Sequence, residues 1–419
     1  MGEPFDAIEF ETWRARVERG ETTLAGLTRG ALEGVGVPPL ATARPHAATR
    51  AVPSRASAKT QVVLRALDDG PSPSWLPAAI DGVWLAVGRG QRLAPERVLQ
   101  WRARLPVGLS LFVDGDAEPS RLLGLEGVTA WIDPCGASDI GEDAWSRDAI
   151  ARWVADPHAF VWACDGAAWH DAGASAVDEL AAALGGLLVA VRARERAGHT
   201  ALPEPGAWML RLGLGGSLLI DVAKLRAARA LVTAVLSRLG GAPPQLQLWA
   251  RSGRRNRAAT DVDTNLVRAS LEAFAAVSGG ADGILLEPHD RRPASLDDAG
   301  RWARNIVALL QHECHLDRVA DPWAGAWAIE DTTAALAAAA WARVRGFEAA
   351  GGLGEPAVQT QLRRDVAATA AKRVAALVSG EEVLVGATRW PPPDRCTDHP
   401  LAEPGVLALE RLAQEAGAR

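Results

Sequence analysis

The 419-residue chain contains no tyrosine, only two methionines and six phenylalanines, so no phenolic hydroxyl is available for chemistry anywhere along it. Its four cysteines, Cys135, Cys164, Cys314 and Cys396, stand far apart without a CxxC pair. That spacing spells neither a disulfide framework nor a zinc cluster, and a reducing cytoplasm is the simple reading. No apolar run reaches the ~18 residues that cross a bilayer. The opening MGEPFDAIEFETW is acidic and lacks the basic-then-apolar order of a signal peptide. Basic charge is also short. A net charge of −6 argues against a nucleic acid or an anionic membrane as partner, because phosphate recognition needs a basic face.

What is present is a globular composition, 48% apolar and 23% charged. The length suits one large α/β barrel with appendages, or two or three ordinary domains. Sixteen tryptophans stand beside the missing tyrosines. A GC-rich coding background would favour Ala, Gly, Arg and Trp over Tyr and Lys. It would explain the scarcity without restoring a missing group.

Residues 8–42 read as one amphipathic helix, with Trp13, Val17, Leu24 and Leu27 near helical spacing, followed by a short turn-rich strand segment. Residues 43–60 are polar and aperiodic, as in a linker. From about 60 to 330, seven short apolar runs alternate with helical patterns: 83–88, 107–115, 128–133, 159–166, 208–214, 246–251 and 282–288. Runs of this length bounded by Gly, Asp or Pro suit parallel strands buried on both faces. Their repetition predicts an α/β fold of the (β/α)₈ TIM barrel type, with the eighth strand unplaced. An N-terminal helical extension (1–59) precedes the barrel (60–330). An Ala-rich helical C-terminal segment (331–419) follows it, breaking at Gly380 and again at the Pro run of VGATRWPPPDR.

Four local patterns bear on chemistry. The fourth run ends in Asp165-Gly166 and leads into WHDAGA, which places His170 at a barrel mouth; a lone histidine there is more often a hydrogen-bonded structural group than a catalyst. The sixth run leads into four arginines, Arg251, Arg254, Arg255 and Arg257, which suit either a phosphate, such as that of CoA, or a solvated loop. His312-Glu313-Cys314-His315 has zinc-ligand residue types but no partner cluster. GLGGSL at 213–218 lacks the third glycine of a dinucleotide loop.

Two longer runs, RLGLGGSLLIDVAKLRAAR (211–229) and ARNIVALLQHECHLDRVADPWAGAWAIED (303–331), resemble the barrel of the cobalamin-dependent acyl-CoA mutases, the methylmalonyl-CoA mutase family. The resemblance extends over roughly residues 8–390, including Glu33-Gly34, Val37 and Pro39-Leu40 of an EG-x-x-V-x-PL segment. It implies an acyl-CoA mutase-type barrel and, for the family, isomerisation of (R)-methylmalonyl-CoA to succinyl-CoA with adenosylcobalamin as radical source. The departures are as telling. Catalytic subunits carry YHxQEAGA where this chain has WHDAGA, so their substrate-contacting glutamine meets His170. Their sixth run, HCQTSGWSLTxxDPxNN, supplies a histidine to the thioester carbonyl, where a positioned donor stabilises developing charge. Here Asp261, Asn265 and Arg268 fix the register and the histidine falls on Leu248 or Trp249. The ARSGRRN run looks more like the ARTSxxN of small subunits.

The catalytic tyrosine is missing in any register. The cobalamin-domain signature D-x-H-x-x-G is met only by DPHAFV at 156–161, which has Val in place of Gly. Too little chain follows the barrel run for a further domain of ~100–150 residues. The resemblance therefore implies a non-catalytic, small-subunit-like barrel without a cobalamin-binding domain and inactive alone. Such a chain binds no cofactor itself and forms a heterodimer with a large catalytic mutase subunit that holds adenosylcobalamin. His170, Arg251 and Arg254 are the candidate residues for a vestigial acyl-CoA site. Two other readings stand beside it: a catalytic subunit that borrows a separate cobalamin protein, and an orphan acyl-CoA-binding or regulatory barrel. In the non-catalytic reading, bulky inward side chains among Trp84, Phe112, Trp131, Trp162, Trp208 and Trp249 fill the space left open for the pantetheine arm in catalytic subunits.

Overall fold

A computed structural model describes residues 9–19, 22–29, 31–41, 61–66, 80–85, 95–105, 110–114, 128–132, 160–196, 198, 208–240, 247–292, 295–394 and 407–417. Eight parallel strands form a closed barrel: β1 (Gln61–Ala66), β2 (Gly82–Leu85), β3 (Ser110–Asp114), β4 (Val128–Ile132), β5 (Phe160–Asp165), β6 (Trp208–Leu214), β7 (Gln247–Ser252) and β8 (Gly283–Leu286). Each pairs with the next, and β1 closes on β8 through Val62 opposite Ile284 and Leu64 opposite Leu286. The strand left unplaced by the sequence is β1, QVVLRA, ahead of the other seven. The run LQLWAR is therefore the seventh strand of the barrel.

Which side chains face the axis follows from one contact. The Arg211 guanidinium on β6 lies 5.4 Å from the Trp84 ring centroid on β2, and those strands stand on opposite sides of the closed order. Both must therefore point inward. Alternation along each strand then turns Leu210, Leu212, Leu214, Leu248, Ala250, Ile284 and Leu286 outward, where all are buried in the main core. Trp249 shares the inward layer with Arg211 and Gly283 by register. A Cβ on Gly283 would sit 2.5 Å from the Trp249 indole, so glycine is what lets this ring lie across the neighbouring strand. Trp84 and Trp249 are both essentially sealed from solvent. The side chains of Phe112, Trp131, Trp162 and Trp208 lie outside the described set, as do the linker 43–60 and the DPH motif at 156–158.

The described helices are α1 (Phe10–Val17), α2 (Leu24–Leu27), α3 (Pro95–Arg104), α4 (Gly166–Asp171), α5 (Ala176–Arg196), α6 (Leu218–Gly240), α7 (Val262–Ser278), α8 (Leu296–His312), α9 (Trp327–Ala349), α10 (Pro356–Ser379) and α11 (Leu409–Glu415). The N-terminal extension is not one helix. Glu18 accepts the backbone N–H of Leu24, and Thr23 caps α2 by accepting from Gly26, so a side-chain-bonded turn interrupts the apolar periodicity. No residue of α1 or α2 is fully buried. The Ala-rich segment beyond the barrel also divides, because Gly351 and Gly352 adopt positive φ between α9 and α10. Gly380 (φ 77°) ends α10 where the sequence places a break. No helix among the described residues is long and apolar enough to cross a membrane.

Candidate functional site

The carboxyl ends of β5 to β8 and the loops that leave them gather charged side chains at one end of the barrel, the face where such folds assemble sites. A charge inside an otherwise apolar strand must find a partner, because burial of an unpaired ion costs several kcal/mol. Arg211, within WMLRLGL, donates from Nη2 to Asp165 Oδ2 at 2.6 Å. Arg251, within QLWARS, donates to the Ala167 carbonyl at 2.7 Å and to the Asp171 carboxylate. Arg254 donates its backbone N–H to Asp171 Oδ1 at 2.9 Å and its Nε to Glu287, and its guanidinium lies 5.9 Å from the Trp84 centroid. Three arginines thus meet three carboxylates, and two of the arginines, Arg211 and Arg254, lie over one buried indole. Burial pushes the Asp165 carboxyl up, but the charges of Arg211 and Arg251 outweigh it and hold the group below the usual carboxylate range.

His170 lies beside this set. Its ring packs on Gly213, where a Cβ would stand 2.5 Å from the imidazole. Nδ1 is 3.2 Å from Glu179 Oε2 on α5. Glu179 also accepts from Gly213 N–H at 2.7 Å and from Lys224 Nζ at 2.7 Å. With a carboxylate on that side, Nδ1 is the donor, which leaves Nε2 as a lone pair with no hydrogen-bond partner. Burial first, then the charges of Arg255 and Lys224, hold His170 well below its ordinary pKa. The imidazole is therefore neutral, with its one proton on Nδ1 turned to Glu179, so Nε2 presents an acceptor and has no proton to offer a ligand. Burial lifts Glu179 to about 7 despite Lys224, while Lys224 is held charged by Glu179 and Asp221 against the same desolvation.

The structure brings His170, Arg251 and Arg254 to one end of the barrel. Arg251, Arg255 and Arg257 are buried rather than solvated, and each is bonded inside the protein. Trp249, which with Leu248 is one of the two positions onto which the resemblance places the histidine, donates its indole N–H to Gln247. The sequence reading named Asp165 and Trp84 without these partners, and it missed the pairing roles of Arg211, Asp171 and Glu287 and the Glu179–Lys224 pair beneath His170. The lone arginines inside β6 and β7 were the available signal. His312, Cys314 and His315 are exposed, and among the described residues no group of three or more His, Cys, Asp or Glu is arranged to hold a metal.

Comparison with known proteins gives this geometry a context. The methylmalonyl-CoA mutase family model matches residues 157–411, more than half of the chain. The probable methylmalonyl-CoA mutase small subunit of Mycobacterium tuberculosis is 29% identical over 349 residues, covering 79% of this chain and 54% of that protein. The small subunit of Streptomyces virginiae is 28% identical over 394 residues, 84% of this chain and 60% of its own. The large subunit of Propionibacterium freudenreichii subsp. shermanii is 30% identical over 225 residues, 53% and 31% respectively. The chain spans about half the length of the small subunits it matches.

Proposed function

Since the chain belongs to the methylmalonyl-CoA mutase family, we propose that it is a non-catalytic, small-subunit-like component of a cytoplasmic mutase complex. A large catalytic partner then isomerises (R)-methylmalonyl-CoA to succinyl-CoA. In this reading the closed barrel is of the acyl-CoA mutase (β/α)₈ type, and its mouth is a structural plug. The observation that carries the proposal is the three-against-three ion-pair set at the mouth, two of whose arginines lie over Trp84.

A pantetheine arm needs an open axis, and a CoA phosphate or thioester needs donors still to be satisfied. Here Trp84, Arg211 and Trp249 occupy the axis, and the guanidiniums are turned to Asp165, Asp171 and Glu287. The same residues do not fit adenosylcobalamin. The one unpaired imidazole acceptor among them, His170 Nε2, is enclosed by Gly215 and Gly253 rather than directed at an open face. No chemical step is assigned to this chain, and the cofactor is placed in the partner.

The partner surface in this proposal includes the N-terminal arm. Phe10, Trp13, Leu24, Pro38, Pro39 and Leu40 line an apolar groove of about 350 Å³, and an eight-residue helix without a buried residue gains little stability by itself. Obligate interfaces bury on the order of 2,000 Å² or more. Co-expression with the large mutase of the same organism, followed by size-exclusion chromatography, tests the assignment. A heterodimer is expected. Separate elution of two proteins, with the large mutase fully active alone, leaves the orphan-barrel reading instead.

A further inference from the structure

The C-terminal helix α11 is short, yet it is bonded to both loops that carry the mouth residues. Just before it, the Leu407 N–H donates to the Asp171 carbonyl at 2.7 Å, in the turn between α4 and α5. Within it, the Glu410 carboxylate is 2% exposed and accepts from the backbone N–H groups of Ala259 and Thr260 and from the Thr260 hydroxyl. Those two residues lie in the loop after β7, directly beyond Arg251–Arg257. Leu409 and Ala413 pack with Ala258, Leu377, Leu384 and Ala387 in a cluster separate from the main core. A Cβ on Gly173 would stand 3.0 Å from Leu407 Cδ2, so the turn and the start of the helix are in close apposition.

The same turn has other anchors. Arg255 donates to the His170 and Ala174 carbonyls, and Arg373 of α10 donates to those of Gly173 and Ala174. These come from the barrel loop and the long helix α10. Among the described residues, Glu410 and Leu407 are what ties the turn and the β7 loop to the same short segment. A small cluster bonded mostly through one carboxylate is the kind of unit that opens locally at a free energy below that of global unfolding.

We infer that α11 is a strap that holds the α4–α5 turn and the loop after β7 shut over the barrel mouth. Its docking sets the accessibility of the Arg251, Arg254 and Arg255 guanidiniums. The inference stands on this geometry whether or not the chain pairs with a catalytic subunit. In the docked state the three side chains are shielded and paired. With the strap released, the turn loses its Leu407 bond and the β7 loop loses its carboxylate, which leaves the arginine bonds to Asp171, His170 and Ala174 to join the two.

The test is arginine-selective labelling with phenylglyoxal, mapped by mass spectrometry, on the full chain, on its Glu410→Gln variant and on a chain ending at Asp394. Arg226 is the internal reference. It is equally buried, but its partners Asp321, Thr333 and Glu330 belong to other elements. Labelling of Arg251, Arg254 and Arg255 should rise about tenfold or more in at least one altered chain, with Arg226 unchanged, as local opening requires. Unchanged mouth arginines in both chains overturn the strap. So does a rise of Arg226 in step with them in both, which reports global unfolding. If E410Q opens the mouth selectively while the truncated chain unfolds, the variant decides in favour.

Discussion

If the mouth charges exist to satisfy one another, removing one of them should be far more harmful than removing a pair. Arg211→Met keeps most of the stem that packs near Trp84 but deletes the guanidinium that bonds Asp165 at 2.6 Å, leaving a buried carboxylate behind. Breaking a buried pair in this way costs about 3–5 kcal/mol. The low end applies here, because Arg251 and Arg254 also act on Asp165 and remain. A loss of about 3 kcal/mol, with an m-value near 3 kcal/mol per M, lowers the urea midpoint by about 1 M. Arg211→Met combined with Asp165→Val leaves no orphan charge and should recover to within about 1 kcal/mol of the parent. The pH dependence has a fixed sign. Asp165 is held below the usual range, so its contribution is full above the ordinary carboxylate pKa and is lost as pH falls through the depressed value. The gap between parent and Arg211→Met should therefore be widest at neutral pH and narrow under acid. Urea denaturation followed by circular dichroism measures all three chains. A single variant within 1 kcal/mol of the parent, or a double variant no better than the single, shows that the Arg211–Asp165 pair is not what holds this end of the barrel.

Further expectations concern the surroundings of the mouth. Gly213→Ala places a Cβ 2.5 Å from the His170 ring and should cost about 1–3 kcal/mol by overpacking, most of it recovered in a Gly213→Ala, His170→Ala chain; thermal denaturation of both reads this, and an undamaged Gly213→Ala protein counts against the packing described. Glu33 is driven up by burial but pulled down to about 2 by Arg373 and Arg255, so the parent should lose stability from about pH 4.5 downward to pH 2. Glu33→Gln should be less stable at neutral pH and flatter across that window in acid titrations, and parallel curves contradict the pairing. Arg226→Met removes bonds to Asp321, Glu330 and Thr333 and should destabilise by about 3 kcal/mol or more, read from the same urea transitions.

The strands were legible because burial on both faces writes them as short apolar runs between turn residues. The first one was not. Its sequence, QVVLRA, carries an arginine and follows a polar stretch, and its place becomes certain only by pairing with β8, more than two hundred residues away. Helical spacing at 8–27 was read as one helix because periodicity does not register the bonds of Glu18 and Thr23 that break it. At the mouth, motif position found His170, Arg251 and Arg254. Their partners were hidden because ion pairing joins neighbouring strands that are distant in sequence: Asp165 and Arg211 are 46 residues apart, and Arg254 and Glu287 are 33 apart. The charges embedded in β6 and β7 predict that partners exist. They do not say which.

A barrel plugged at its mouth and without chemistry of its own should give no turnover by itself. The purified chain is incubated with adenosylcobalamin and (R)-methylmalonyl-CoA, with and without the large mutase of the same organism, and succinyl-CoA is quantified. No succinyl-CoA is expected from this chain alone, and turnover only when the large mutase is present. Succinyl-CoA formed by the chain by itself would contradict that expectation.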